Sequence, residues 1–195
     1  MARGAAAQDK GKAMIPIEYL WITLIIVLGI VGAARGLNKE LGVTTILLLS
    51  LFVLKFAWKQ LGARGIALVG DRVAADTVMA LYYIAVIIFV AIISYEGFTL
   101  AFPVRQMKGV TKGITGLPGG LLNGYLIFGT IWDVANRADY FGLKVPFECF
   151  GKTLAISDCL TNFHNVLVHY LPITFINEFV MLVLGMILLL AIVFK

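Results

Sequence analysis

Side chains able to do chemistry are sparse in this chain of 195 residues, and their spacing suits few reactions. The two histidines, His164 and His169, stand five positions apart, whereas a metal pair on one helix face stands at i and i+4. Both fall in a polar stretch and read as interfacial histidines. A haem or chlorophyll ligand would sit inside an apolar run, and no run holds a histidine. Cys149 and Cys159 are ten apart, which is neither a CxxC pair nor a thioredoxin-type motif. They read as two free, half-buried thiols, or as a disulfide closing a small loop if that segment faces an oxidising compartment. Ser94 and Ser157 have no His/Asp arrangement legible beside them, and neither a phosphate-binding loop nor a dinucleotide fingerprint occurs. The sequence therefore predicts no enzyme, no catalytic residue and no metal site. Asp133 and His164 are the candidates that a membrane-embedded enzyme would have to use.

Apolar length dominates instead. Five runs, at about 15–34, 41–58, 77–95, 114–135 and 173–194, are each near the length that crosses a hydrocarbon core of roughly 30 Å at about 1.5 Å per residue. The chain is 61% hydrophobic and 14% charged, with a mean hydropathy of +0.95; soluble domains carry roughly 25% charged residues. These features predict an all-α integral membrane protein, a bundle of about five transmembrane helices with one or two short interfacial amphipathic helices. A mobile tail, 1–13, precedes a single transmembrane domain, 14–195, whose longest polar piece is the surface segment 136–172. Run one is longer than a signal-peptide core of about 7–15 residues and reads as a retained span. Residues 60–76 are weakly amphipathic and fit either a surface helix or a loop. In the segment 136–172, Ser157 could cap a short helix with Leu160, Phe163, Leu167 and Val168 on one side.

The net charge of +5 lies between the runs, where it sets topology and meets anionic headgroups rather than nucleic acid. With the N-terminus inside, ten Lys and Arg residues fall on the cytoplasmic side and six opposite. That predicts a multi-pass membrane protein with a cytoplasmic N-terminus. Trp21, Trp58 and Trp132 suit the headgroup level, and Arg35, Lys39 and Glu40 in the short first connection can snorkel to it. Glu18, Lys55, Glu96, Asp133 and Glu178 sit near run ends and none near a centre, which speaks against a self-sufficient ion transporter. Asn123 is the one strong polar group near an apolar interior, and it reads as hydrogen-bonded to a neighbouring helix.

Glycine supplies the sharpest local pattern. Gly116, Gly120 and Gly124 recur every four residues on one helix face, among Gly113, Gly119 and Gly129. Gly29 with Ala33, and Gly32 with Gly36, repeat the small-xxx-small spacing in run one. Small residues let helix backbones approach closely, either between runs one and four or in a homo-oligomer or partner-subunit interface. Pro118 could kink the start of run four.

The hairpin Arg35-Gly36…Lys39-Glu40 and the apolar run after it resemble the first half of the CvpA (colicin V production protein) family. The stretch from Gly113 to Gly124 looks like that family's glycine-rich opening of its fourth span, so the resemblance covers about 16–135. The chain lacks the acidic residue expected just before the glycines and adds a fifth span. The resemblance implies a small bacterial inner-membrane protein linked to secretion and envelope homeostasis, without an established chemical activity. Two functions are expected from these readings. One is a non-catalytic structural or accessory subunit of a bacterial membrane complex, respiratory or photosynthetic. The other is a CvpA-like envelope protein supporting export or solute passage. Expected partners are the lipid bilayer and other membrane subunits or further copies of the chain. No cofactor is intrinsic; lipid, carotenoid or quinone could lie at the bundle surface.

Overall fold

The computed structural model describes residues 17–69, 75–96, 102, 109–143 and 162–194. The tail 1–13, both cysteines, Ser157 and Leu160 lie outside the described residues. Among the described residues the chain is helical and has no strand. Helix α1 is Ile17–Arg35, α2 Leu37–Val69, α3 Ala75–Glu96 and α4 Val110–Gly124. A π-helical turn, Tyr125–Gly129, joins α4 to α5, Thr130–Arg137, and a 3-10 turn follows at Asp139–Gly142. The C-terminal part holds α6, Asn162–Val168, α7, Pro172–Phe175, and α8, Glu178–Val193.

Four segments are long and apolar enough to cross a membrane: Glu18–Arg35, Leu37–Gln60, Ala75–Glu96 and Val110–Arg137. The fifth expected run, 173–194, is not one helix. Pro172 opens α7, the backbone becomes extended at Ile176 and Asn177, and α8 starts afresh at Glu178. Asn177 caps that second start by accepting from the Phe179 amide at 2.9 Å. The 16 residues of α8 are about 24 Å long at 1.5 Å per residue.

Two other expectations are corrected. Residues 60–69 form neither a loop nor a separate surface helix, because α2 continues to Val69 without a break. Pro118 does not end run four, since α4 passes through it. The irregularity falls later, where five residues widen into the π turn. Gly36 is the sharpest stop: its φ of 90° is a left-handed conformation that glycine adopts without a Cβ clash, and α2 begins at the next residue.

Neighbouring contacts fix the directions. Gly124 faces Ile25 while Gly116 faces Gly32 and Gly36, so α1 and α4 run antiparallel. Lys55 meets Glu178 while Gly185 meets Leu49, so α2 and α8 do too. Leu47, Leu51, Leu54, Ile87, Leu126 and Met181 fill the centre. The outside is as apolar as the inside, with Ile30 on α1, Phe89 and Ile92 on α3 and Phe179 and Ile187 on α8 all more than half exposed. Helices that are apolar all round suit lipid or protein surroundings rather than water.

Candidate functional site

The glycines of α1 and α4 put two backbones in direct contact. A methyl group added at Gly32 would lie 2.5 Å from Gly120 Cα and 2.7 Å from the Gly116 carbonyl oxygen. One added at Gly116 would strike the Gly32 carbonyl, and one at Gly120 the Leu28 carbonyl, with Gly32 Cα at 2.8 Å. Gly124 meets Ile25 in the same way, its added methyl 2.9 Å from the carbonyl oxygen. Gly29 takes the Leu121 side chain, and Gly36 takes the Lys112 stem. Ala33 lies farther off, with its carbonyl 3.8 Å from a methyl placed on Gly113. These glycines are therefore used within the chain, and dispersion between backbones replaces the hydrophobic push that lipid cannot supply.

Gly119 faces the other way, toward α2, where an added methyl would lie 2.8 Å from Glu40 Cβ. This missing side chain makes room for a carboxylate. Glu40 is fully buried. Its Oε1 accepts from Arg35 Nη1 at 3.1 Å, and its Oε2 accepts from Asn123 Nδ2 at 2.8 Å and from the Tyr95 hydroxyl at 3.1 Å. Asn123 Nδ2 also donates to the Glu40 carbonyl at 3.0 Å. The Thr44 hydroxyl lies 2.7 Å from Asn123 Oδ1 and 2.9 Å from the Glu40 carbonyl, one proton serving both. The Arg35 guanidinium stands 4.4 Å above the Tyr95 ring centre, a cation–π contact that spreads its charge over α3.

Four helices thus converge on one carboxylate, which corrects the expectation for the hairpin. Lys39 remains exposed. Arg35 and Glu40 do not snorkel outward; they turn into the bundle, because lipid would leave the carboxylate unpaired at a cost of several kcal/mol. Glu40 starts near the α2 N-terminus, where the helix dipole favours an anion, yet it reaches Asn123, the fourteenth of 28 residues in Val110–Arg137. The carboxylate therefore stays at the ends of α1, α2 and α3 while bonding a residue inside the α4–α5 rod. The signal was available in the sequence: Glu40, Thr44, Leu47, Leu48 and Leu51 lie on one α2 stripe, all buried.

A second set of charges holds the opposite end. Asp133 is buried; its Oδ1 accepts from Arg137 Nε at 2.9 Å and its Oδ2 from the Thr174 amide at 2.9 Å. Lys55 Nζ donates to the carbonyls of Ile173 and Ile176 at 3.1 and 3.0 Å and pairs with Glu178 at 3.6 Å. The backbone groups freed where run five breaks are thus taken up by side chains of α2 and α5.

Trp132 and His164 are buried within the protein rather than exposed on its surface. Trp132 is buried, stacked on Trp21 with ring centres 6.2 Å apart, and donates from Nε1 to the Tyr140 hydroxyl at 3.0 Å. His164 is also buried, with its ring 5.6 Å from Trp132 and its Nε2 3.0 Å from Asn136 Oδ1. Burial pushes the Tyr140 hydroxyl well above its ordinary range. Burial also lowers the His164 pKa from 6.5, against a smaller opposing pull from Glu18. Tyr140 reaches this box through a left-handed turn, with φ of 48°, 49° and 60° at Asp139, Tyr140 and Phe141. Such angles cost about 1–2 kcal/mol per non-glycine residue, and packing of the aromatic box offsets them. Trp58 stacks on Tyr82 at 6.3 Å and is partly buried. Among the described residues, no group of three His, Cys, Asp or Glu is placed to hold a metal. The chain has no match among protein-family models, curated proteins or solved structures.

Proposed function

We propose that this protein is a non-catalytic structural or accessory subunit of a bacterial inner-membrane complex, respiratory or photosynthetic. In this reading it passes the bilayer five times, with its N-terminus in the cytoplasm. The observation that carries the reading is the glycine seam of α1 and α4, which brings two helix backbones into direct contact. The charges near it act in the same sense. Glu40 and Asp133 each tie helices together through three or more hydrogen bonds and ion pairs. The apolar outer faces of α3 and α8 are left for neighbouring subunits, lipid, carotenoid or quinone. The test is gentle detergent extraction of the tagged protein followed by a native gel. Migration with other membrane subunits is the expected result; migration only as a free 21.3 kDa protein in its micelle overturns the reading.

A second reading, a CvpA-like envelope protein supporting export or solute passage, is favoured by one observation: the fully buried Glu40 carboxylate, bonded to Asn123 inside the bundle. Intramembrane ionisable groups mark pathways more often than they mark scaffolds. Solute flux in reconstituted liposomes that falls on Glu40→Gln substitution is expected under it. Absence of flux in the unmodified protein, with normal envelope resistance in a deletion strain, removes it.

A further inference from the structure

Helix α6 and the turn that leads from it into α7 have three faces rather than two. His164, Leu171 and Pro172 are buried, with Leu167 and Val168 packed beside them on the Trp132 cluster. Asn165 and His169 form a polar edge and are exposed. On the remaining side Phe163, Val166 and Tyr170 are 55%, 58% and 57% exposed. An ordinary surface helix would be polar there.

The outward apolar strip does not stop at the end of α6. The Tyr170 ring lies 5.8 Å from that of Phe175, which is 63% exposed. Exposed apolar side chains therefore run from the α6 segment to Phe175 of α7, and α8 exposes further ones, Phe179 and Val183 among them. The aromatic part of the strip lies at the level where Lys55, Glu178 and Arg137 gather. Aromatic rings beside a ring of charges, next to an apolar helix, fit the boundary between headgroups and acyl chains.

We propose that the Phe163–Val166–Tyr170–Phe175 strip of α6 and α7 is a lipid-contact surface, immersed at the headgroup–acyl boundary with Asn165 and His169 turned to the headgroups. The occupant is the bilayer itself. The strip's polar edge supplies hydrogen-bonding groups on one side only, which matches a planar polar–apolar boundary. This inference rests on the membrane-spanning reading of α8, and its test separates the two.

Cys149 and Cys159 are replaced by serine, and nitroxide labels are placed singly by Val166→Cys, Asn165→Cys and Ile187→Cys. The full-length protein is reconstituted into phosphatidylcholine–phosphatidylglycerol vesicles. Accessibility to oxygen, which partitions into lipid, is compared with accessibility to a water-soluble nickel chelate. The expected oxygen-to-nickel ratio is highest at 187, intermediate at 166 and lowest at 165. A ratio at 166 as low as at 165, with 187 still high, puts the strip in water and overturns the inference while the membrane reading stands. Shielding of 166 from both probes means a protein cover and also overturns it. A low ratio at 187 overturns the membrane reading and this inference together.

Discussion

The seam depends on single hydrogen atoms where other residues carry side chains. Replacing Gly120 with leucine drives a branched chain into the Leu28 carbonyl and Gly32. Overpacking of this kind costs about 1–3 kcal/mol or more, and neither backbone can yield without separating α1 from α4. Gly120→Leu should therefore lower the melting temperature in detergent and disrupt assembly; an unchanged melt and intact assembly refute this. Gly113→Ala is the contrast, because among the described residues its added methyl meets only the Ala33 carbonyl, at 3.8 Å. Relief of glycine's backbone entropy, about 0.5–1 kcal/mol, should leave that variant equal or more stable in the same melt. Glu40→Gln removes the charge that Arg35 and Asn123 face. Breaking a buried pair costs about 3–5 kcal/mol, and the 17% exposure of the Arg35 side chain places the expected loss at the lower end. Arg35→Met added to Glu40→Gln should recover part of the loss, because it removes the stranded cation; a double variant that melts still lower contradicts the account. Glu40 was legible as a residue on a buried stripe, but its partners were not. Tyr95 and Asn123 lie 55 and 83 positions away, and no local pattern joins them.

Broken and two-faced helices carry the next level of organisation. The turn between α7 and α8 leaves carbonyls at Ile173 and Ile176, and Lys55 of α2 takes both. Lys55→Met keeps the length of the side chain and loses the donor. Amide exchange should then accelerate across 173–178, with α1 and α4 unaffected; uniform protection in the variant would show that the turn holds without it. The run at 173–194 had the composition of one helix. What divides it is a tertiary event, the capture of backbone groups by Lys55 and Asp133 around a proline start. Docking of α6 has a pH dependence of definite sign. Burial lowers the His164 pKa below 6.5, so the undocked state binds more protons. Docking stability is complete above about pH 6.5 and is lost as pH falls through the lowered value. Exchange of the α6 amides should be faster at acidic pH than at neutral pH, and His164→Gln should remove the difference. A pH response that survives that substitution belongs to another group.

At the scale of the whole molecule, α1 begins and α8 ends at opposite ends of the described bundle, because α1 runs antiparallel to α4 and α2 antiparallel to α8. If the N-terminus is cytoplasmic, a reporter active only outside the cytoplasm should be active when fused after Lys195 and silent when fused before Met1. Equal behaviour at both ends would remove α8 as a crossing helix. Apolar run length marked five spans, and four of them are helices long and apolar enough to cross, because burial in lipid needs only composition and about 20 residues. Periodicity likewise marked which α4 face carries glycine, since helix geometry fixes that locally. Neither property holds information about distant partners. The tertiary structure decided that the glycines of α1 and α4 meet each other. It decided that Glu40 turns inward to Arg35, Tyr95 and Asn123, and that Trp132 and His164 leave the surface. The physical reason is common to all three. A charge or an indole N–H takes its position from the partner that satisfies it at low dielectric, and that partner is set by how the helices pack.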